Sequence, residues 1–130
     1  MEIYKIVIVD LKTRVNIKTF VEVDEAESSE NITIKMVINS YEVISSDYNY
    51  FSAYQDFRDK LLELGYGIKC NGSKINSVQS NMMNATNKIY FIKIDEVVKS
   101  KDIVNIWDYI DIDDFPNTKQ QFDFFQKWSK

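Results

Sequence analysis

The 130-residue chain has no histidine. That one absence removes Ser-His-Asp and Cys-His catalysis, acid–base chemistry of the ribonuclease type and most zinc sites. A single cysteine, Cys70, cannot form an internal disulfide and agrees with a reducing compartment. With one proline and no repeat or low-complexity tract, no linker is visible, and residues 1–130 are expected to form one domain. No run approaches the ~20 apolar residues of a membrane helix. The start, MEIYKIVIVD, has an acid at position two and no small-residue cleavage site, so an unexported, cytoplasmic protein is expected. Sequons at Asn31, Asn71 and Asn84 then carry no meaning. Glycine is scarce too, and all three glycines fall with the cysteine in one stretch, GYGIKCNGSK, from Gly65 to Lys74.

What is present is apolar and aromatic: 45% of the chain is hydrophobic, with eight Tyr, eight Phe and two Trp, ample for a packed core. The first 45 residues read as strands. EIYKIVIVD is rich in Ile and Val, and NITIKMVIN alternates through Ile32, Ile34, Met36 and Ile38. In VNIKTFVEV the positions Val15, Ile17, Thr19, Val21 and Val23 share a face opposite Asn16, Lys18 and Glu22, with Phe20 the exception. YEVIS adds a fourth strand. Short polar connections and no intervening helix predict an antiparallel meander. A helix is predicted from Tyr48 to Leu64, because Tyr50, Tyr54, Phe57, Leu61 and Leu64 form one stripe at helical spacing. Further strands are expected at GIKC and KIYFIKI, while DEVVKSKDIVNIWDYIDIDD suits either a helix or a strand. A terminal helix follows, with Thr118 and Gln121 as a capping box and Phe122, Phe125 and Trp128 turned inward. The fold class is therefore α+β: an N-terminal antiparallel β-meander, an amphipathic helix, further strands and a C-terminal helix packed on the sheet.

The glycine stretch invites a phosphate-loop reading, since Gly67 and Gly72 have the spacing G-x-x-x-x-G. The motif then requires Lys followed by Ser or Thr, but Ser73 precedes Lys74. The dinucleotide motif G-x-G-x-x-G fails because Cys70 stands where its third glycine belongs. Local roles account for all three: Gly65 caps the helix, Gly67 lets the chain reverse, and Asn71-Gly72 supplies positive φ for a tight type I′ turn. Cys70 lacks an imidazole base, and Lys69 beside it points to the opposite face of a strand, so a buried structural thiol is expected. A small enzyme or ligand-binding domain using the Cys70–Lys74 turn remains the alternative reading.

Net charge is −4, but the acids are concentrated. Glu22, Asp24, Glu25, Glu27 and Glu30 form one run without a base, and Asp102, Asp108, Asp111, Asp113 and Asp114 another; together they carry −10 and leave +6 elsewhere. Such a balance disfavours direct nucleic-acid binding and fits a basic protein partner. An EF-hand loop begun at Asp111 fails, with Pro116 at the required glycine and Phe122 in place of the bidentate Glu. Asp111-Ile112-Asp113 is a DxD too short to carry meaning, and although 20 acids always offer carboxylate pairs for glycoside hydrolysis, such enzymes are usually larger and show a substrate cleft. No metal and no cofactor is implied. Trp107 and Tyr109 among the acids offer aromatic anchors for a docking surface; equally, Trp107 can be core and Asp108–Asp114 a solvated edge.

The run FRDKLLELGYGIKCNGSKINSVQSNM, from Phe57 to Met82, resembles a pattern in small bacterial proteins of toxin–immunity gene pairs: an amphipathic helix, a C-N-G-[SA] turn, then a serine and a methionine. The terminal QFDFFQKW is similar in kind. The resemblance implies a non-enzymatic cytosolic immunity protein that binds and blocks a cognate toxin domain, as in contact-dependent growth inhibition. Many such toxins are basic nucleases, tRNases among them, and some engage elongation factor Tu. Toxin-binding residues are then expected among Glu22, Asp24, Glu25, Glu27, Glu30, Trp107, Asp108, Tyr109, Asp111, Asp113 and Asp114. Acids of this kind speed encounter with a basic partner by steering. A third possibility is a scaffold subunit, which would form a stable oligomer alone.

Overall fold

Strands β1 (Glu2–Asp10), β2 (Asn16–Asp24), β3 (Ile32–Ile38) and β4 (Tyr41–Asp47) form the expected meander, each antiparallel to the next. The structure is a computed structural model that describes residues 1–25, 31–93, 96 and 103–129. Helix α1 (Tyr50–Glu63) recrosses the sheet, and β5 (Tyr66–Ile68) joins the free side of β1, giving the order β4-β3-β2-β1-β5. The core lies between α1 and one sheet face: Ile6, Ile8, Val21, Val23, Ile34 and Met36 meet Tyr50, Tyr54, Phe57 and Leu61. The predicted helical stripe is thus buried through Leu61, while Leu64, at the C-cap, is exposed.

The polar stretch after residue 73 serves the helix start. Asn49 gives no side-chain cap; instead the Tyr50 N–H donates to the Asn84 carbonyl at 2.6 Å and the Phe51 N–H to Gln79 Oε1 at 3.1 Å. Two donors that every helix leaves free at its N-terminus are thereby satisfied. The same stretch leads into a second sheet, in which β6 (Ser77–Val78), β7 (Lys88–Phe91) and β8 (Ile103–Asn105) pair in that order. Helix α2 (Thr118–Trp128) follows. The protein is α+β.

Three local expectations are corrected. Gly65 has φ +94° and caps α1 as expected, but Gly67 lies within β5 opposite Val9, and its missing Cβ makes room for the Phe115 ring. Asn71–Ser73 is a 3₁₀ turn with no positive φ, not a type I′ turn. Gly72 is required because an added Cβ would lie 2.8 Å from the Tyr54 ring. In α2 the capping box is formed by Asn117 and Gln120, one residue earlier than Thr118 and Gln121. Gln121 is buried instead, while Phe122 and Phe125, expected inward, are 54% and 37% exposed and Trp128 is half-buried.

Candidate functional site

Beyond β5 the chain from Trp107 to Phe115 runs beside Ile68–Cys70 as an irregular outer edge. Tyr109 bridges Cys70, the Ile110 N–H donates to the Lys69 carbonyl at 3.3 Å, and Phe115 covers Gly67. The edge is pinned at its far end by Arg14, whose guanidinium donates to the Asp113 carbonyl at 3.4 Å. With the backbone held in this way, the side chains of Asp108, Tyr109, Asp111, Asp113 and Asp114 are exposed. Among these carboxylates only Asp111 is ion-paired within the described residues, to Lys69 Nζ at 3.1 Å.

The other acidic run is not brought to this edge. Glu22 faces outward from β2 and pairs with Lys35 at 3.6 Å, and Asp24 and Glu25 are exposed where that strand ends. Strand order puts β1 and β5 between the two groups, so at least roughly 14 Å separates them by strand spacing alone. Glu27, Glu30 and Asp102 lie outside the described residues.

Trp107 does not serve as a surface anchor. It is 3% exposed, stacked on Tyr4 at 5.7 Å, edge-on to Tyr54 and Phe57, and its indole N–H donates to the Tyr50 hydroxyl at 2.8 Å. Burying so large a ring among aromatics, with its one donor satisfied, is what a core position asks. Tyr109 is left as the exposed ring of the segment.

The Cys70–Lys74 turn is built into the interior. Cys70 and Ser73 are fully buried, and the Tyr54 hydroxyl lies 3.2 Å from the Cys70 sulfur and 2.5 Å from Ser73 Oγ. Ser77 Oγ donates to the Asn71 carbonyl and Asn71 Nδ2 to the Asn105 carbonyl, tying the turn to the second sheet. Burial pushes the Cys70 thiol pKa up, against the weaker pull of hydrogen bonds from Tyr54 and Ser73; burial likewise raises that of Tyr54. A raised pKa means less thiolate at any given pH, and the thiolate is the reactive form. Native Cys70 is therefore expected to resist a disulfide exchange reagent at pH about 8 that labels the denatured chain at once. Rapid native labelling would restore the turn as a chemical site. Among the described residues no three acidic or thiol groups converge to hold a metal, and no helix is long and apolar enough to cross a membrane.

No family model and no curated protein matches the chain. The reading of function accordingly rests on the acidic edge itself.

Proposed function

We propose that the chain is a cytosolic immunity protein that binds and neutralises a cognate bacterial toxin domain, a basic nuclease, through its acidic edge. One observation carries this reading: the segment after Trp107 is held by backbone bonds to Lys69 and Asn71 and by the Arg14 guanidinium on the Asp113 carbonyl, yet it presents Asp108, Asp111, Asp113 and Asp114 to solvent around an exposed Tyr109. A rigid row of carboxylates beside an aromatic ring matches a partner that has to hold RNA or DNA, because both negative surfaces compete for the same lysines and arginines. Inhibition by occlusion then needs no catalytic group. The resemblance across Phe57–Met82 belongs to the framework, since that run supplies the second half of α1, β5 and the buried turn.

The test pairs the gene with the toxin gene encoded beside it. Co-expression is expected to rescue growth, and reversing Asp108, Asp111, Asp113 and Asp114 to lysine is expected to abolish rescue and slow association by ~10-fold or more at low salt. Loss of salt dependence should accompany the change. Full rescue by the quadruple variant, with an unchanged far-UV spectrum, would refute the proposal.

A further inference from the structure

Phe20 breaks the polar face of β2, and the structure shows what surrounds it. β5 pairs with β1 only at Ile8–Asp10, and one residue on the Lys69 N–H donates to the Val7 carbonyl at 2.8 Å. The chain then turns inward at Cys70, so the first half of β1 has an open side. Val7 and Leu11 both direct backbone groups toward β5 and its flank, and the two-residue period of the ladder points those of Lys5 the same way, into the opening. There a pocket of about 480 Å³ is lined by Lys5, Val7, Lys18, Phe20, Lys69 and Tyr109, with Trp107 also contributing.

Register explains the convergence. Lys5 lies opposite Phe20 and Val7 opposite Lys18, so these four share the outer sheet face, and Lys69 follows on the flank. Lys5 and Lys18 have no ion-pair partner among the described residues. Lys69 is different: its side chain is only 12% exposed, and Asp111 holds its ammonium. Phe20 and Tyr109, each 56% exposed, supply ring faces. The pocket combines a surplus of positive charge with two exposed rings, and its size lies in the range of roughly 300–1,000 Å³ that holds a small ligand.

We propose that this pocket binds a nucleoside monophosphate, with the phosphate taken by Lys5 and Lys18 and the base stacked on Phe20 or Tyr109. Ammonium groups act as point charges toward phosphate, and stacking on an aromatic ring favours any base. Neither feature explains the other, whereas a ligand with an anionic end and a flat end uses both. Asp111 competes with the ligand for Lys69. The site stands apart from the toxin-docking proposal, although Asp111 and Tyr109 border both.

Titration of the isotope-labelled protein with adenosine 5′-monophosphate tests the proposal, read at the amides of residues 5, 18, 20, 69 and 109. Saturable shifts are expected with a dissociation constant below about 1 mM, and inorganic phosphate and adenosine alone should each bind at least about tenfold more weakly. Lys18→Glu should weaken binding by about tenfold or more, and Phe20→Ser by several-fold. Asp111→Asn should tighten it about threefold by releasing Lys69, while the same change is expected to weaken toxin neutralisation, so the two proposals move in opposite directions on one variant. Absence of saturable shifts at these residues overturns the site. Phosphate binding as tight as the nucleotide overturns the role of the rings, and unchanged or weaker nucleotide binding by Asp111→Asn overturns the role of Lys69.

Discussion

Trp107→Ala is expected to cost about 3–5 kcal/mol of folding stability, the range for removing a large buried aromatic. The ring touches two elements at once. Tyr4 of β1 stacks against it, and Tyr54 and Phe57 of α1 meet it edge-on. Truncation leaves a void among these rings and also strips the Tyr50 hydroxyl of its indole donor, a further loss of order 1 kcal/mol or more for a buried polar group. Trp107→Phe keeps most of the aromatic contact and loses the donor, so a smaller cost of about 1–2 kcal/mol is expected. Urea unfolding followed by far-UV circular dichroism separates the two. If Trp107→Ala stayed within about 1 kcal/mol of the parent and instead impaired partner binding, the residue would have to be an anchor and not a core position.

The same residue shows where a linear reading stops. The four-stranded meander and α1 were legible because each is held by a regular alternation of its own: period two in NITIKMVIN, and the stripe Tyr50, Tyr54, Phe57, Leu61. Trp107 follows β8 in a turn that belongs to neither period, and its burial depends on where Tyr4, a hundred residues earlier, lies. The glycines divide on the same line. Gly65 answers a local need, a left-handed cap, and was readable; Gly67 and Gly72 answer tertiary contacts with Phe115 and Tyr54 and were not. For the acids, exposure could be anticipated from their type, but the separation of the Glu22–Glu25 group from Asp108–Asp114 follows from sheet order alone. The lysine pocket had one visible trace, Phe20 among the polar residues of β2.

Helix α2 provides the sharpest test of side-chain orientation, because aromatic spacing turns Phe122 inward whereas the structure buries Gln121 and leaves Phe122 exposed. Gln121 is expected to be the costly position and Phe122 the tolerant one. The Gln121 amide is fully engaged: its oxygen accepts from Gln55 Nε2 at 3.0 Å and Arg58 Nη2 at 2.7 Å, and its nitrogen donates to the carbonyls of Gly72 and Lys74 at 3.0 and 2.7 Å. Arg58 is fully buried, with its Nε on Asp59 at 2.8 Å and its guanidinium carbon 5.6 Å from the centre of the Tyr54 ring. Asp59 in turn accepts from the Thr118 N–H at 3.1 Å, so the start of α2 is fastened to α1 at two adjoining points. Gln121→Ala leaves a buried guanidinium nitrogen and two carbonyls without this partner, and a loss of about 3 kcal/mol or more is expected, since a buried charge deprived of a partner costs more than a neutral group. Phe122→Ala removes a ring that already faces solvent and should change stability by about 0.5 kcal/mol or less. The second-site change Arg58→Met, made in Gln121→Leu, should cost less than the two single changes added, because it removes the charge that the first change had orphaned. Urea midpoints of the five variants (Gln121→Ala, Phe122→Ala, Gln121→Leu, Arg58→Met and the Gln121→Leu/Arg58→Met pair), with limited proteolysis between Pro116 and Gln120 to detect release of α2, decide the matter. A larger loss from Phe122→Ala than from Gln121→Ala would reverse the face on which this helix is attached.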